Sequence, residues 1–408
     1  MERRGRKIYR TRAGNRKRRT QKFFKALFMI IILAALVFVG YSVGKPIYKY
    51  FSERSGKDSA EETVPWTPPV MPDDTDSTVG ETEDVPEEST YVSEDSVENS
   101  KLDFSAYQLP ETALVSDAEL RNALESAKGS GYTAVVVTMK AEGGKIYYKT
   151  SSQMALSADG AVAGGMYAGQ ISSMIKNAGF TPIAKINLLE DHNWYGEYKT
   201  GAYRFEGSTS TWLDDSAANG GKPWLSPFDT DTQSYAAYLA NEVSSAGFDY
   251  VIFDGIVFPP FRSSDLNYVG AIVKDPSKYK TLISIADISA KAAEANGSSV
   301  MVMASAGEII GGKSDLFKPA ELTVKTVSVE YFPNGLENTA LINGEEIALS
   351  ELTAYDRART VFTEIKRLAG DEITIVPALK QSDFSQADFS ETISAFMDLG
   401  FTSYIILG

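Results

Sequence analysis

Residues 247–261 read GFDYVIFDGIVFPPF. A glycine leads into an apolar run of strand length, one carboxylate, Asp254, interrupts it, and Pro259-Pro260 forbids continuation as a helix or a central strand. A lone buried charge is costly unless it is paired or neutralised, so a purely structural strand would not carry one. Asp254 is therefore expected where the strand ends and water or a substrate reaches it.

The same arrangement recurs along the chain. GYTAVVV begins at Gly131, GFTPIAKI at Gly179 and GFTSYIIL at Gly400, each after a helix-like segment. Glycine just past a helix accepts the left-handed conformation that turns the chain back into a strand. The helix before Gly247 is expected to place Tyr235, Tyr238, Leu239, Val243 and Ala246 on one face, with Asp229 or Thr230 as its cap. A second runs from about Leu352 to Leu368, ahead of Gly370. Strand-like runs at about 110–115, 133–139, 182–189, 250–254, 299–305, 323–331, 373–379 and 402–407 alternate with helical patterns. A long irregular insertion around 190–228 breaks the rhythm. Near-continuous apolar strands are covered on both faces, which means a parallel sheet. Eight such units over residues 103–408 fit a (β/α)8 TIM-type barrel better than an open doubly wound sheet.

The first hundred residues differ in composition. Residues 1–25 hold twelve Lys or Arg and one acid, and read as a basic cytoplasmic tail. Residues 26–44, ALFMIIILAALVFVGYSVG, carry no charge and are long enough to span the roughly 30 Å hydrocarbon core once as a transmembrane helix. Ser42-Val43-Gly44 would also serve a signal peptidase, but the apolar run exceeds the usual signal-peptide core of roughly 7–15 residues. The basic cluster places the N-terminus inside, which makes this segment a single-pass signal anchor in the cell membrane with an extracytoplasmic C-terminal domain. Residues 45–102 form an acidic linker. Within them, residues 52–101 hold fifteen Asp or Glu against three basic residues and too few large apolar groups to fold, so a disordered, self-repelling tether is expected.

Several chemistries are excluded or disfavoured. The net charge of −14 divides into +13 for residues 1–51, −12 for 52–101 and −15 for 102–408. An acidic C-terminal domain argues against a nucleic acid partner, and the basic tail is expected to act first as a topology signal, with anionic lipid headgroups as the alternative contact. With no cysteine there are no disulfides, thiol nucleophiles or cysteine metal sites. His192 is the only histidine, no G-x-S-x-G elbow occurs, and no calcium-loop spacing is present, so no metal or cofactor is implied. GEIIGGKS at Gly307–Ser314 matches the phosphate-binding loop pattern, yet Pro319 would break the helix that must follow, and no nucleotide partner is expected.

Carboxylates remain. In a βα barrel the active site lies at the C-terminal ends of the strands, and alternation turns Asp254, Ile252 and Tyr250 inward together. Other acids at predicted strand ends are Glu142, Glu190, Asp191, Glu308 and Glu330. Two carboxyl groups, one ionised and one protonated, cleave glycosidic bonds. Among these acids Asp254 is the first candidate for catalysis. Glu142 and Asp191 join Trp194, Tyr195, Trp212 and Trp224, which cluster around the insertion, as candidate substrate-binding residues.

PIAKINLLED (182–191), WLSPFDTDTQSYAAYLANE (224–242) and GFDYVIFDGIVFP (247–259) resemble, in order and spacing, a family of glycoside-hydrolase-type (β/α)8 barrels in bacterial exported proteins, distantly like the α-amylase barrels. YTAVVVTMKAEGGKIYY (132–148) and EYFPN (330–334) extend the resemblance. It implies a nucleophile or cation stabiliser at Asp254, with the acid partner left open between Glu308 and Glu330. The chain departs from the family pattern at Gly255 and Val257, where tyrosine and arginine are usual, at Thr138, where an acid is usual, and at the end of the fifth strand, ASAGE. Two functions follow as expectations: a membrane-anchored glycoside hydrolase acting on envelope or extracellular polysaccharide, or an inactive barrel that binds glycan or an envelope partner.

Overall fold

The structure, a computed structural model, describes residues 102–194, 200–265, 269–312 and 316–408. The expected tail, transmembrane segment and linker lie outside the described residues, among which no helix is long and apolar enough to cross a membrane. Eight parallel strands close into a barrel: β1 (Ser105–Gln108), β2 (Ala134–Lys140), β3 (Thr181–Asn187), β4 (Tyr250–Asp254), β5 (Ser299–Ser305), β6 (Thr326–Glu330), β9 (Thr374–Lys380) and β10 (Tyr404–Leu407). The sheet shuts where β1 pairs with both β2 and β10. Between β6 and β9 sits a small antiparallel hairpin, β7 (Thr339–Ile342) and β8 (Glu345–Ala348). Its turn, Asn343-Gly344, has φ of 49° and 85°, the mirror-image geometry that two-residue hairpins favour.

The first strand corrects the expectation. ETALV does not enter the sheet; Glu111–Leu114 is a single 3₁₀ turn, and β1 is the preceding SAYQ. Pro110 lacks the N–H that a ladder needs, so the strand stops before it. The four junction glycines, Gly131, Gly179, Gly247 and Gly400, all have φ between 80° and 92°, as their role requires.

Alternation along the strands makes two cores. Ala106, Val136, Ile183, Ile252, Met301, Val376 and Ile405 fill the barrel, with Leu102, Phe104 and Tyr250 packed at its N-terminal end. Val135, Val137, Ala184, Ile186, Val251, Phe253, Val300 and Val302 point outward to the helices. The helix Thr230–Ser245 is capped by the Asp229 side chain, which accepts from the Asp231 N–H, and buries Tyr235, Leu239 and Val243. Tyr238, expected on that face, is 43% exposed. The helix Ala354–Ala369 buries Ala358, Val361 and Ile365 and ends at Gly370. The phosphate-loop look-alike is no loop at its start: Ala306–Gly311 is helical, while Lys313 and Ser314 lie outside the described residues.

Candidate active site

The C-terminal ends of the strands surround a cavity of about 390 Å³ whose lining includes Thr138, Lys185, Asp254 and Met303. Asp254 closes β4 with its side chain turned into this mouth, above Ile252. Its Oδ1 accepts the Gly255 N–H at 2.7 Å, and the Lys185 ammonium stands 3.4 Å from Oδ2. Both contacts are with positive or donor groups, the surroundings that suit a carboxylate.

The backbone next to Asp254 is tightly specified. Asn187 ends β3 in register with Asp254, and the Leu188 N–H donates to the Asp254 carbonyl at 2.8 Å. A Cβ on Gly255, whose φ is 63°, would lie 2.3 Å from the buried Asn187 amide. The tyrosine usual at this position in the resembling family therefore has no room here.

Two loops from neighbouring strands are stitched together beside this point. The Gly143 N–H donates to the Glu190 carbonyl (2.9 Å), the His192 N–H to the Gly143 carbonyl (3.2 Å), and the Glu190 N–H to Asn187 Oδ1 (3.0 Å). A bulge between Thr138 and Lys140 shifts the register of β2 against β3. Lys140 lies beneath the loops, with its ammonium 3.0 Å from Asp191 Oδ2 and 2.8 Å from the Asn187 carbonyl. Both side chains of that pair are 1% exposed. The stitching brings Glu142 and Glu190, which come from different strands, into contact.

The consequence is electrostatic. The Glu190 carboxyl is pushed up from 4.5 to about 7 by burial, by the charge and hydrogen bond of Glu142 and by the charge of Asp254, with Lys140 opposing. The rise falls on Glu190, because two close carboxylates resist ionising together. Glu330, at the end of β6, keeps exposed surface on its solvent side. Its carboxyl is nevertheless raised, by burial of its inner side first and then by the charge of Asp254, with Lys185 opposing. The cavity thus sets a carboxyl that holds its proton near neutrality beside a carboxylate braced by an ammonium.

The residues singled out from the sequence divide. Asp254, Glu142, Glu308 and Glu330 line the cavity together. Asp191 does not: it is buried against Lys140, which corrects its assignment to substrate binding. Trp194 packs edge-on against Tyr235 in the outer core. Trp212 and Trp224 sit with Tyr203, Val269 and Val273 in a separate core of the insertion, 0% and 7% exposed. These three tryptophans fold the insertion and offer no face to the mouth. Tyr195 lies outside the described residues. Lys185, Asn187 and Glu111 carried no signal in a single sequence, and Glu190 was visible only as one strand-end acid among several. No cluster of three or more acids or histidines among the described residues has the geometry to hold a metal ion.

Residues 107–306 match a family model described as "Putative glycosyl hydrolase domain". Among solved structures, a hypothetical protein from Ruminiclostridium thermocellum is 18% identical, with a TM-score of 0.40 over 48% of this chain and 96% of that one. The glycoside hydrolase domain of PgaB (BpsB) from Bordetella bronchiseptica is 14% identical, with a TM-score of 0.48 over 74% of this chain and 92% of that one. No curated protein matches the chain. Over residues 107–306, from β1 to the first residue of the helix after β5, the chain is similar to the family described as "Putative glycosyl hydrolase domain".

Proposed function

We propose that the barrel hydrolyses glycosidic bonds in an envelope or extracellular polysaccharide. Asp254 is the carboxylate that attacks or stabilises the anomeric carbon, and Glu190 is the acid that protonates the departing glycosidic oxygen. Water then completes the hydrolysis, and the proton it releases restores Glu190. The charge of Glu142 helps keep the proton on Glu190, and Lys185 braces Asp254. The observation that carries this reading is the single cavity holding a carboxyl raised to about 7 next to an ammonium-paired aspartate. Two carboxyl groups whose surroundings drive their protonation apart are the requirement for this reaction. Glu330, one of the two acids named from the sequence, lines the same cavity with its carboxyl raised, and Glu308 lines it without a role in the step.

The test is turnover of a panel of polysaccharides by wild type, Asp254→Asn, Glu190→Gln and Glu330→Gln. We expect the first two variants to lose at least about a hundredfold in kcat, the scale of a general acid or of a charge stabiliser, and Glu330→Gln to lose less. Turnover that survives Asp254→Asn rejects the mechanism. Binding without turnover in the wild type selects the alternative, a barrel that binds glycan without cleaving it.

The setting belongs to the same proposal: residues 26–44 anchor the chain in the cell membrane, and the acidic linker holds the barrel outside. Protease added to intact cells should remove the barrel; protection of the barrel would reject that topology.

A further inference from the structure

Beside Asp254 stands a hydrogen-bond donor that the protein itself does not use. Asn187 ends β3 in register with Asp254, and both residues line the cavity. Asn187 is 4% exposed. Its Oδ1 accepts the Glu190 N–H at 3.0 Å, which fixes which end of the amide is oxygen and which is nitrogen. Its backbone carbonyl accepts the Lys140 ammonium at 2.8 Å. Nδ2 has no hydrogen-bond partner among the described residues. It lies over Gly255, where a Cβ would come within 2.3 Å of it, and Gly255 also lines the cavity. The missing side chain at 255 leaves the nitrogen open to the mouth. A buried donor without an acceptor is costly, and the cavity is the side from which a bound molecule can supply one.

The chemistry of that acceptor follows from its surroundings. An amide nitrogen only donates. Asp254 is assigned to the anomeric carbon, and paired strands stand about 4.8 Å apart, so the Asn187 nitrogen falls on an atom next to that carbon. A sugar ring offers two there, the ring oxygen and the group on carbon 2. A donor on the ring oxygen would oppose the positive charge that this oxygen shares in the oxocarbenium-like transition state, whereas a hydrogen bond to the carbon-2 hydroxyl strengthens as that charge develops. In an acetamido sugar, or an amino sugar in its ammonium form, the atom on carbon 2 is a nitrogen that carries hydrogen. That would set donor against donor.

Resting on the hydrolase reading above, we infer that Asn187 Nδ2 binds the carbon-2 hydroxyl of the sugar whose bond is cut, and that this sugar carries a hydroxyl there rather than an amine or acetamido group. Asn187 is then a substrate-binding residue that sets specificity at the point of cleavage, and Gly255 is the residue that makes room for it.

The experiment compares the full chain as wild type, Asn187→Ala and Asn187→Asp; the aspartate keeps an oxygen for the Glu190 N–H and loses the donor. The probes are nitrophenyl glucosides and galactosides of both anomers, with their 2-deoxy and 2-acetamido counterparts. For any polysaccharide cleaved, the sugar at the new reducing end, which is the one attacked, is identified by borohydride reduction and mass spectrometry. Corrected for uncatalysed rates, wild type should favour the 2-hydroxy over the 2-deoxy probe by about a hundredfold or more in kcat/KM, and both variants should cut that preference by about tenfold or more. The new reducing end should bear a hydroxyl on carbon 2. A preference that is absent in wild type, or unchanged in the variants, overturns the inference and leaves the hydrolase reading standing. Faster turnover of the acetamido probe, or a new reducing end with nitrogen on carbon 2, does the same. If neither variant folds, the wild-type preference and the new reducing end still decide. A wild type that cleaves no probe and no polysaccharide removes the hydrolase reading, and this inference falls with it.

Discussion

Glu190 concentrates the chemistry of the site in one proton. Its carboxyl ordinarily titrates at 4.5 and is raised to about 7 in the folded chain. The folded state therefore binds this proton more tightly than the unfolded state, and the linkage has a definite sign. The stabilisation is fully present below the unfolded value and is lost as pH rises through the folded one. Thermal melts should show wild type losing stability between about pH 5 and pH 8, by a few degrees, and Glu190→Gln losing much less. A wild type whose melting temperature is flat or rises across that window would contradict the assignment. A strand-end acid at position 190 is legible in the sequence. Its proton is not, because the group that raises it, Glu142, arrives from another strand through hydrogen bonds that no local pattern announces.

Strands and turns decide which acids meet. The pair Lys140–Asp191 lies under the two loops that carry Glu142 and Glu190, with both members almost fully buried. Lys140→Met leaves Asp191 as a buried charge without its ammonium and is expected to cost about 3–5 kcal/mol, whereas Lys140→Met with Asp191→Leu should recover much of that. Chemical denaturation of the three proteins checks this; equal losses in the single and double variants would show that the pair is not the link between the loops. Legibility at this scale follows periodicity. The Gly-aromatic-apolar junctions locate β2, β3, β4 and β10 because a positive φ leaves few substitutes for glycine. β1 was displaced onto ETALV because SAYQ is short and only alternately apolar, and Pro110 marks an end that resembles a beginning. The hairpin β7–β8 had its signal in Asn343-Gly344, between runs too polar to read as core strands. Lys140 and Asp191 look like surface charges in a sequence, and only the bulge in β2 and the contact between loops show that they are interior.

At the scale of the molecule, closure of the barrel ties the two ends of the described chain together. β1 pairs with β10, and the Phe104 N–H donates to Ser403 Oγ at 3.0 Å. Removing residues 404–408 should open the barrel and replace cooperative unfolding by a broad transition with exposed apolar surface, measured by melting and dye binding. A truncated chain that melts as sharply as the full one would show that closure is dispensable. The barrel class was legible because eight βα-type units over residues 103–408 fit a closed barrel better than an open doubly wound sheet. The fate of the tryptophans was not, since an aromatic cluster in a long insertion reads the same whether it stacks on sugars or packs on itself, and here Trp212 and Trp224 build the insertion's own core. The account as a whole stands on a proton held at neutrality next to Asp254. Its most direct measurement is a titration of the Glu190 carboxyl carbon by NMR in wild type, Glu142→Gln and Asp254→Asn. A midpoint near 7 in wild type that falls in both variants is the predicted result, and a wild-type midpoint near 4.5 that neither substitution moves would contradict the account.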